Sequence, residues 1–324
     1  MEQRRMGDSG LRVSTIGLGG NNFGRKNSAT ENLEGTRAVV EAALDAGITM
    51  FDTADMYGME PGLSEKFLGE ALGKHRDEVV IATKFGMNMK GANGQDFGAR
   101  GSRSYIVRAV EASLKRLGTD YIDLYYYHTV DPSTPFEETL TALDDLVTSG
   151  KVRYLGHSNM TGWQIAHAEH LARELGTERF VASQNNFNLL DRRAELEVLP
   201  ATGFFGLGVV PYYPLANGLL TGKYTDGKAP DGSRLDVAKP QLMKTTDFEQ
   251  LRRFRDFAQA RDLTELEVAF GFLLASYPVA SVIAGATKPE QITANAAAAS
   301  WVATEDDLEE LSEIFPPAPK VALF

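Results

Sequence analysis

Residues 46–58 read Ala46-Gly47-Ile48-Thr49-Met50-Phe51-Asp52-Thr53-Ala54-Asp55-Met56-Tyr57-Gly58. A glycine stop is followed by a short apolar run, an acid and a loop carrying a phenol. The run is a buried strand that ends in Asp52. A carboxylate at the strand end and a phenol five residues on can face one cavity. Taken alone, Asp52 serves equally well as a loop cap, and Asp55 has no assigned role beyond capping the same loop. Whether later strand ends aim partners at the same place decides the reading.

Working outward, strands and helices alternate. Apolar runs at 15–18, 48–53, 79–84, 121–128, 152–156, 180–184, 208–212 and 279–283 are strands. Helical patterns fit 31–46, 64–72, 102–118, 135–149, 161–175, 248–261, 265–276 and 289–299, and glycines stop several of them, as Gly47, Gly73, Gly118 and Gly150 do. The link after the sixth strand, 189–200, is the weakest, because Pro200 and Gly203 leave room for only a short helix. Strand then helix, eight times over, predicts a parallel sheet closed into an α/β (β/α)8 TIM barrel. The turn at Asp8-Ser9-Gly10 adds an N-terminal β-hairpin cap, and two extra helices bring the helix count beyond eight. No linker or composition shift divides the chain, so residues 1–324 read as a single domain. Two segments exceed ordinary loop length, 86–100 and 214–248, and their conformation does not follow from pattern.

The totals narrow the function. Net charge is −11, from 33 basic and 44 acidic residues, which argues against nucleic acid or an anionic membrane as partner. There is no cysteine, so disulfides, thiol nucleophiles and cysteine–zinc sites are excluded. No apolar run approaches the ~18 residues of a membrane span, and no signal-like segment follows Arg4-Arg5. The expectation is a cytoplasmic protein. Gly17-Leu18-Gly19-Gly20-Asn21-Asn22 falls short of the glycine fingerprint of a Rossmann site, since no helix opens on it. His167 and His170 have no partner with metal spacing, and no metal site is expected.

In such a barrel the functional face is the C-terminal end of the strands. Asp52 with Tyr57, Lys84, His128, Ser158 with Asn159, Gln184 and Tyr212 all fall there. A phenol near pKa ~10 is a poor proton shuttle. A lysine ~4 Å away at an effective dielectric near 20 favours the phenolate by about 4 kcal/mol, roughly 3 pKa units. That predicts a phenol brought toward neutrality, with Asp52 keeping the lysine charged and His128 polarising a carbonyl oxygen. The grouping is an acid/base device for a carbonyl or alcohol. Of Tyr125, Tyr126 and Tyr127, alternation sends Tyr126 to the opposite side from its neighbours.

Asp52, Tyr57, Lys84 and His128, with Phe-Asp-Thr-Ala-Asp-Met-Tyr-Gly around the first pair, resemble the aldo-keto reductase superfamily. The likeness continues through Gly150-Lys151-Val152-Arg153-Tyr154-Leu155-Gly156-His157-Ser158-Asn159, through 214–224, and through 283–292 with Asn295. It is nearest the bacterial and potassium-channel β-subunit-like branch. The resemblance implies NADPH/NADP+ held without a Rossmann fold, with NADH not excluded. Tyr57 would then donate the proton, Asp52 and Lys84 tune it, and His128 orient the substrate carbonyl. Ser158, Asn159 and Gln184 match positions that hold the nicotinamide carboxamide, and Tyr212 the stacking aromatic. Pro214, Leu215, Gly218, Leu219, Gly222 and Lys223 match the pyrophosphate belt. Gly285, Lys288, Gln291 and Asn295 match the adenosine end, and Gly20 joins the cofactor set. Tyr213 stands where serine is usual, His157 where a small residue is common, and Tyr126 where glutamine is frequent.

Three functions follow in order. The first is an NADPH-dependent reductase acting on a small aldehyde or ketone. A redox-sensing regulatory subunit with slow turnover is the alternative. A Schiff-base aldolase using Lys84 is the third, and it leaves the cofactor belt without a purpose. The physiological substrate and the oligomeric state are not legible.

Overall fold

Eight strands form one sheet in the order β10-β3-β4-β5-β6-β7-β8-β9, every neighbouring pair parallel. They are β3 (Ile16–Gly19), β4 (Met50–Asp52), β5 (Val80–Phe85), β6 (Ile122–Tyr127), β7 (Val152–Ser158), β8 (Phe180–Gln184), β9 (Gly208–Val209) and β10 (Val282–Gly285). The ends meet where Val209 bridges Val279, Ala280 N–H donates to Val209 O (2.9 Å) and Ile283 N–H to Pro211 O (3.3 Å). This is the predicted barrel. The computed structural model describes residues 1–224, 227–231, 233–237 and 239–320. The expected span 1–324 thus takes in residues 321–324, and the long loop residues 225, 226, 232 and 238, that lie outside the described residues.

The hairpin pairs β1 (Gln3–Arg5) antiparallel with β2 (Arg12–Ser14). Met6, Leu11 and Val13 from this hairpin join Met50, Ala82, Leu124, Tyr126, Ala182, Val210, Ala280 and Ile283 in one buried cluster. The hairpin therefore plugs the N-terminal end of the barrel with apolar side chains, and the open end is left to the polar residues above.

Around the sheet run α1 (Leu33–Asp45), α2 (Leu63–Leu72), α3 (Arg103–Leu117), α4 (Phe136–Thr148), α5 (Gly162–Leu175) and α6 (Ala194–Phe205). After β9 come the short α7 (Arg234–Val237) and α8 (Pro240–Thr245), then α9 (Phe248–Gln259) and α10 (Glu265–Ala275). After β10 follow α11 (Pro289–Ala298) and α12 (Glu305–Ile314). The two extra helices, α9 and α12, brace each other: Arg261, just past α9, reaches Asp307 at 2.8 Å and Glu310 at 2.6 Å, and Phe254 meets Phe315 at 5.3 Å. No described helix is long and apolar enough to cross a membrane.

One local expectation changes. The helix after β8 is not short, since α6 continues through Pro200 to Phe205. Proline removes one bond, the one to the Leu196 carbonyl, and Leu196 stands at the exposed face where water can replace it. The long segment 86–101 holds no regular helix but is built from turns tied to neighbouring loops. Gly101 N–H donates to Asp131 (2.8 Å), and Thr139 Oγ1 donates to Gly101 O (2.8 Å).

Alternation along β6 sorts the three tyrosines. Tyr126 points into the barrel, while Tyr125 and Tyr127 point out and stack against Phe85 at 4.9 and 5.1 Å. All three are buried. Tyr126 needs the space opposite it. A Cβ on Gly156 would lie 2.5 Å from the Tyr126 ring, so glycine on β7 makes room for the phenol.

Candidate active site

The register of the sheet sets the site. Asp52 ends β4, Lys84 pairs with Tyr126 and Ser158 with Gln184, so each polar side chain sits one layer above the apolar plug. Lys84 is fully buried. Its Nζ donates to Asp52 Oδ1 at 2.7 Å, Asp52 Oδ2 at 2.6 Å and Thr53 O at 2.8 Å. Gln184 Nε2 donates to Asp52 Oδ1 at 2.8 Å. Four hydrogen bonds, three donated by the ammonium and one by the Gln184 amide, therefore tie the ammonium and its carboxylate into the interior, as a buried pair requires. Burial pushes the Lys84 pKa down, but Asp52 and Tyr57 push it up more strongly, and it ends above the usual lysine value.

Tyr57 is half-buried, with its ring centroid 5.3 Å from Lys84 Nζ and 6.2 Å, edge-on, from the His128 ring. Gly58 turns the chain back from it at φ +111°, and a Cβ there would lie 2.7 Å from Leu63. Only glycine supplies that turn, which leads from the phenol straight into α2.

One expectation is overturned here. The Tyr57 pKa is raised, not lowered toward neutrality. Burial is the largest cause. Lys84 pulls the value down, but Asp52 pushes it back up, and the Asn21 side chain at the phenol lowers it less. The ammonium already grips the Asp52 carboxylate with two hydrogen bonds and the Thr53 carbonyl with a third, so the phenol meets a nearly neutral pair instead of a bare cation. Tyr57 therefore keeps its proton at neutral pH.

His128 is held the other way. Burial, helped by the Lys84 charge, takes its pKa down to about 3. The imidazole is neutral, and its Nδ1 is buried without a partner. Its backbone is fixed on both sides: His128 N–H donates to Phe85 O (2.8 Å), and Asn159 Nδ2 donates to His128 O (3.0 Å).

The neighbouring strand ends carry a linked polar row. Ser158 Oγ donates to Gln184 O (2.8 Å), Asn159 Nδ2 to Ser158 Oγ (3.0 Å), and Tyr212 Oη to Asn159 Oδ1 (2.9 Å). Asn159 is exposed and takes φ +61°. Gln184 is turned toward Asp52, so its placement serves the carboxylate directly.

Beyond Tyr212 the chain is bent by left-handed residues in close succession: Tyr213 (φ +54°), Ala216 (+46°), Asn217 (+62°), Gly218 (+100°) and Gly222 (+74°). The bends in this run close tight turns, in which Ala216 N–H donates to Tyr213 O (2.9 Å) and Gly218 N–H to Leu215 O (2.7 Å). Pro214 and Leu219 are buried beneath it, Leu215 is half-buried, and Lys223 is exposed over the Tyr224 ring at 5.2 Å. A Cβ on Gly222 would lie 2.7 Å from the Glu265 carboxylate, which holds the strip close to α10. At the far end Gly285 and Lys288 are exposed, and Asn295 is buried. Gln291 is engaged locally, its Oε1 accepting from Thr287 N–H (2.7 Å) and Lys288 N–H (3.2 Å). Gly20 is explained by packing, since a Cβ there would lie 3.0 Å from Ser64 Oγ and 3.2 Å from Asp52 O.

Sequence reasoning missed two neighbours of the phenol. Asn21 lay inside a failed glycine fingerprint, and Tyr213 counted only as a departure from serine. Asp55 is also more than a loop cap. It is fully buried and held by Asn93 at 3.0 Å. A cavity of about 340 Å³ lined by Arg4, Asp8, Leu274 and Tyr277 lies at the hairpin end and holds none of the residues at the strand ends.

A buried lysine–carboxylate pair thus stands beside a phenol and a neutral imidazole at the open end of a hairpin-plugged barrel. Comparison with known proteins identifies the class directly. The model of the Aldo/keto reductase family matches residues 15–315, and the chain belongs to that family. It is 36% identical to the L-glyceraldehyde 3-phosphate reductase of Escherichia coli (strain K12), over 91% of this chain and 86% of that protein. It is 38% identical to the uncharacterized oxidoreductase YrpG of Bacillus subtilis (strain 168), over 98% and 96%. It is 37% identical to a putative voltage-gated potassium channel subunit beta of Schizosaccharomyces pombe, over 96% and 92%.

Proposed function

We propose that the protein is an NADPH-dependent carbonyl reductase, in which Tyr57 protonates the oxygen of an aldehyde or ketone. The observation that carries this is the buried Lys84–Asp52 pair set 5.3 Å from the Tyr57 ring, with a neutral His128 across from it. A bound NADPH would supply the hydride to the carbonyl carbon. Tyr57 keeps its proton at neutral pH and gives it to the developing alkoxide. His128, uncharged, offers a ring N–H to the same oxygen and orients it. Lys84 stays charged because Asp52 stays ionised beside it. Its field favours the tyrosinate left after transfer.

The cofactor reading is supported by fit. Ser158, Asn159 and the Tyr212 ring offer a polar row and an aromatic face beside Tyr57. The left-handed strip 213–222 would hold a pyrophosphate on backbone amides. Lys288, exposed at the start of α11, places a cation beside a helix N-terminus, which suits a 2′-phosphate and favours NADPH over NADH.

The test is Tyr57→Phe. NADPH binding is expected to persist while turnover of a carbonyl substrate falls by about 10²- to 10⁴-fold, the usual worth of a positioned acid. Full turnover in the variant refutes Tyr57 as the donor. The relatives named as channel β subunits favour one second reading, a redox-sensing subunit that turns over slowly. Cofactor release much slower than single-turnover hydride transfer would select it.

A further inference from the structure

On the helix side of the barrel wall, behind Asp52 and Lys84, lies a second group of ionisable side chains that the proposed reaction does not use. Asp55 and Glu65 are fully buried there. Arg116, from α3, donates to Glu65 Oε2 at 2.5 Å and to Asn93 Oδ1 at 3.0 Å. Thr83, from β5, donates to Glu65 Oε1 at 2.6 Å. Asn93, buried within the long 86–101 segment, donates from Nδ2 to Asp55 Oδ2 at 3.0 Å. A guanidinium can only donate, so Arg116 fixes which end of the Asn93 amide faces Asp55.

Two carboxyls thus share one guanidinium. Three more oxygens at this place are buried without a partner: Asp55 Oδ1, Tyr105 Oη from α3 and Tyr125 Oη from β6. Both phenols feel the Asp55 charge, and Tyr125 also feels Tyr105. An ionised Asp55 would leave the cluster with a net negative charge and a bare carboxylate oxygen in the interior, a costly state. One proton on Oδ1 removes both problems. The direction of the Asp55 pKa agrees: burial first, then Glu65, raise it well above its usual value against the pull of Arg116, Asn93 and the Met56 backbone N–H.

We propose that Asp55 is a positioning residue held as the neutral acid, which pins the 86–101 segment through Asn93 beside the mouth where Tyr57 and His128 stand. The segment leaves β5 directly after Lys84 and Phe85, and Phe85 O accepts from His128 N–H at 2.8 Å, so its start is tied to the strand end that carries the imidazole. Asp55 N–H also donates to Lys84 O at 3.2 Å, which ties the pin to the strand that carries the lysine. The consequence for substrate rests on the carbonyl-reductase reading, whereas the protonation state does not.

Two measurements test it. A carboxyl whose pKa is raised by folding stabilises the protein below its unfolded value, and that contribution is lost as pH rises toward the folded value. Asn at this position has no proton to lose. The melting temperature of Asp55→Asn should therefore gain on the wild type as pH rises from 4.5 to 8.5. A difference that stays constant, or that moves the other way, overturns the neutral acid. The second measurement is tryptic cleavage after Lys90 in Asn93→Ala, expected to accelerate about tenfold as a buried anchor is lost. The KM of a carbonyl substrate should rise by a similar factor, with kcat within about threefold and NADPH affinity unchanged. Asp55→Ala should behave like Asn93→Ala, and Asp55→Asn should keep the wild-type KM and cleavage rate. Wild-type cleavage in Asn93→Ala overturns the pin. Faster cleavage with no carbonyl reduced by either protein leaves the pin standing and refutes the reductase reading instead.

Discussion

Lys84 Nζ stands 2.7 and 2.6 Å from the two carboxylate oxygens of Asp52, and both side chains are buried. The pair forms the base of the strand-end site, and its charge balance sets the behaviour of the phenol above it. Removing one partner leaves the other charged in the interior, which costs about 3–5 kcal/mol, whereas removing both costs far less. Lys84→Met should therefore destabilise more than the double variant Lys84→Met with Asp52→Asn. Denaturant unfolding of the single and double variants checks this. A double-variant loss equal to the sum of the Lys84→Met and Asp52→Asn losses would mean that the two groups are not coupled.

The raised Tyr57 pKa has a kinetic signature. In the proposed reaction the acid form is the active one, and burial keeps it populated beyond the usual tyrosine range. Turnover in the reducing direction should be flat from about pH 6 to 9 and fall only above about 10, where an unperturbed phenol begins to ionise. His128 should add no inflection near the usual imidazole value, because it stays neutral down to about 3. A pH–rate profile of kcat that fell between pH 7 and 8.5 would contradict the phenol reading.

His157 is fully buried in β7, packed edge-on against Phe180 at 5.3 Å, with neither ring nitrogen hydrogen-bonded. Burial alone takes its pKa down to about 3. A depressed histidine is neutral in the fold and takes up a proton on unfolding, so stability is lost as pH drops below about 6.5. Between pH 7.5 and 5 this position accounts for about 2 kcal/mol of that loss. His157→Leu should lose correspondingly less stability over the same interval, whatever its packing does at pH 7.5. Unfolding free energies at the two pH values give the difference directly.

Tyr126 fills the space that Gly156 leaves. A methyl group on Gly156 would press into the ring at 2.5 Å and approach Ala182 O at 3.2 Å. Gly156→Ala is expected to cost about 1–3 kcal/mol from overpacking. Adding Tyr126→Leu should recover part of that cost. A double-mutant cycle measures the coupling, and additive costs would show that the ring can move aside freely.

Much of the site was legible because its residues are tied to strand ends. Asp52, Lys84, His128, Ser158 and Gln184 each close an apolar run, and in a closed parallel barrel all such ends share one face. The eight-fold alternation and the hairpin were equally plain, since period-2 and period-3.6 patterns follow from local geometry. Pro200 misled the reading of α6, because one missing backbone bond at an exposed carbonyl is a smaller cost than propensity alone suggests.

What pattern cannot carry is electrostatic balance and distant contact. The amino acids by themselves determined the barrel, its polar strand ends and the family to which the chain belongs. Only the tertiary structure decided that Lys84 spends its charge on Asp52, so that Tyr57 is raised instead of lowered. It alone showed that Asp55 meets Asn93 across 38 positions of chain, and that Asn21 reaches the phenol. A pKa is a sum over desolvation and every nearby charge, and those neighbours are set by folding in three dimensions, not by spacing along the chain.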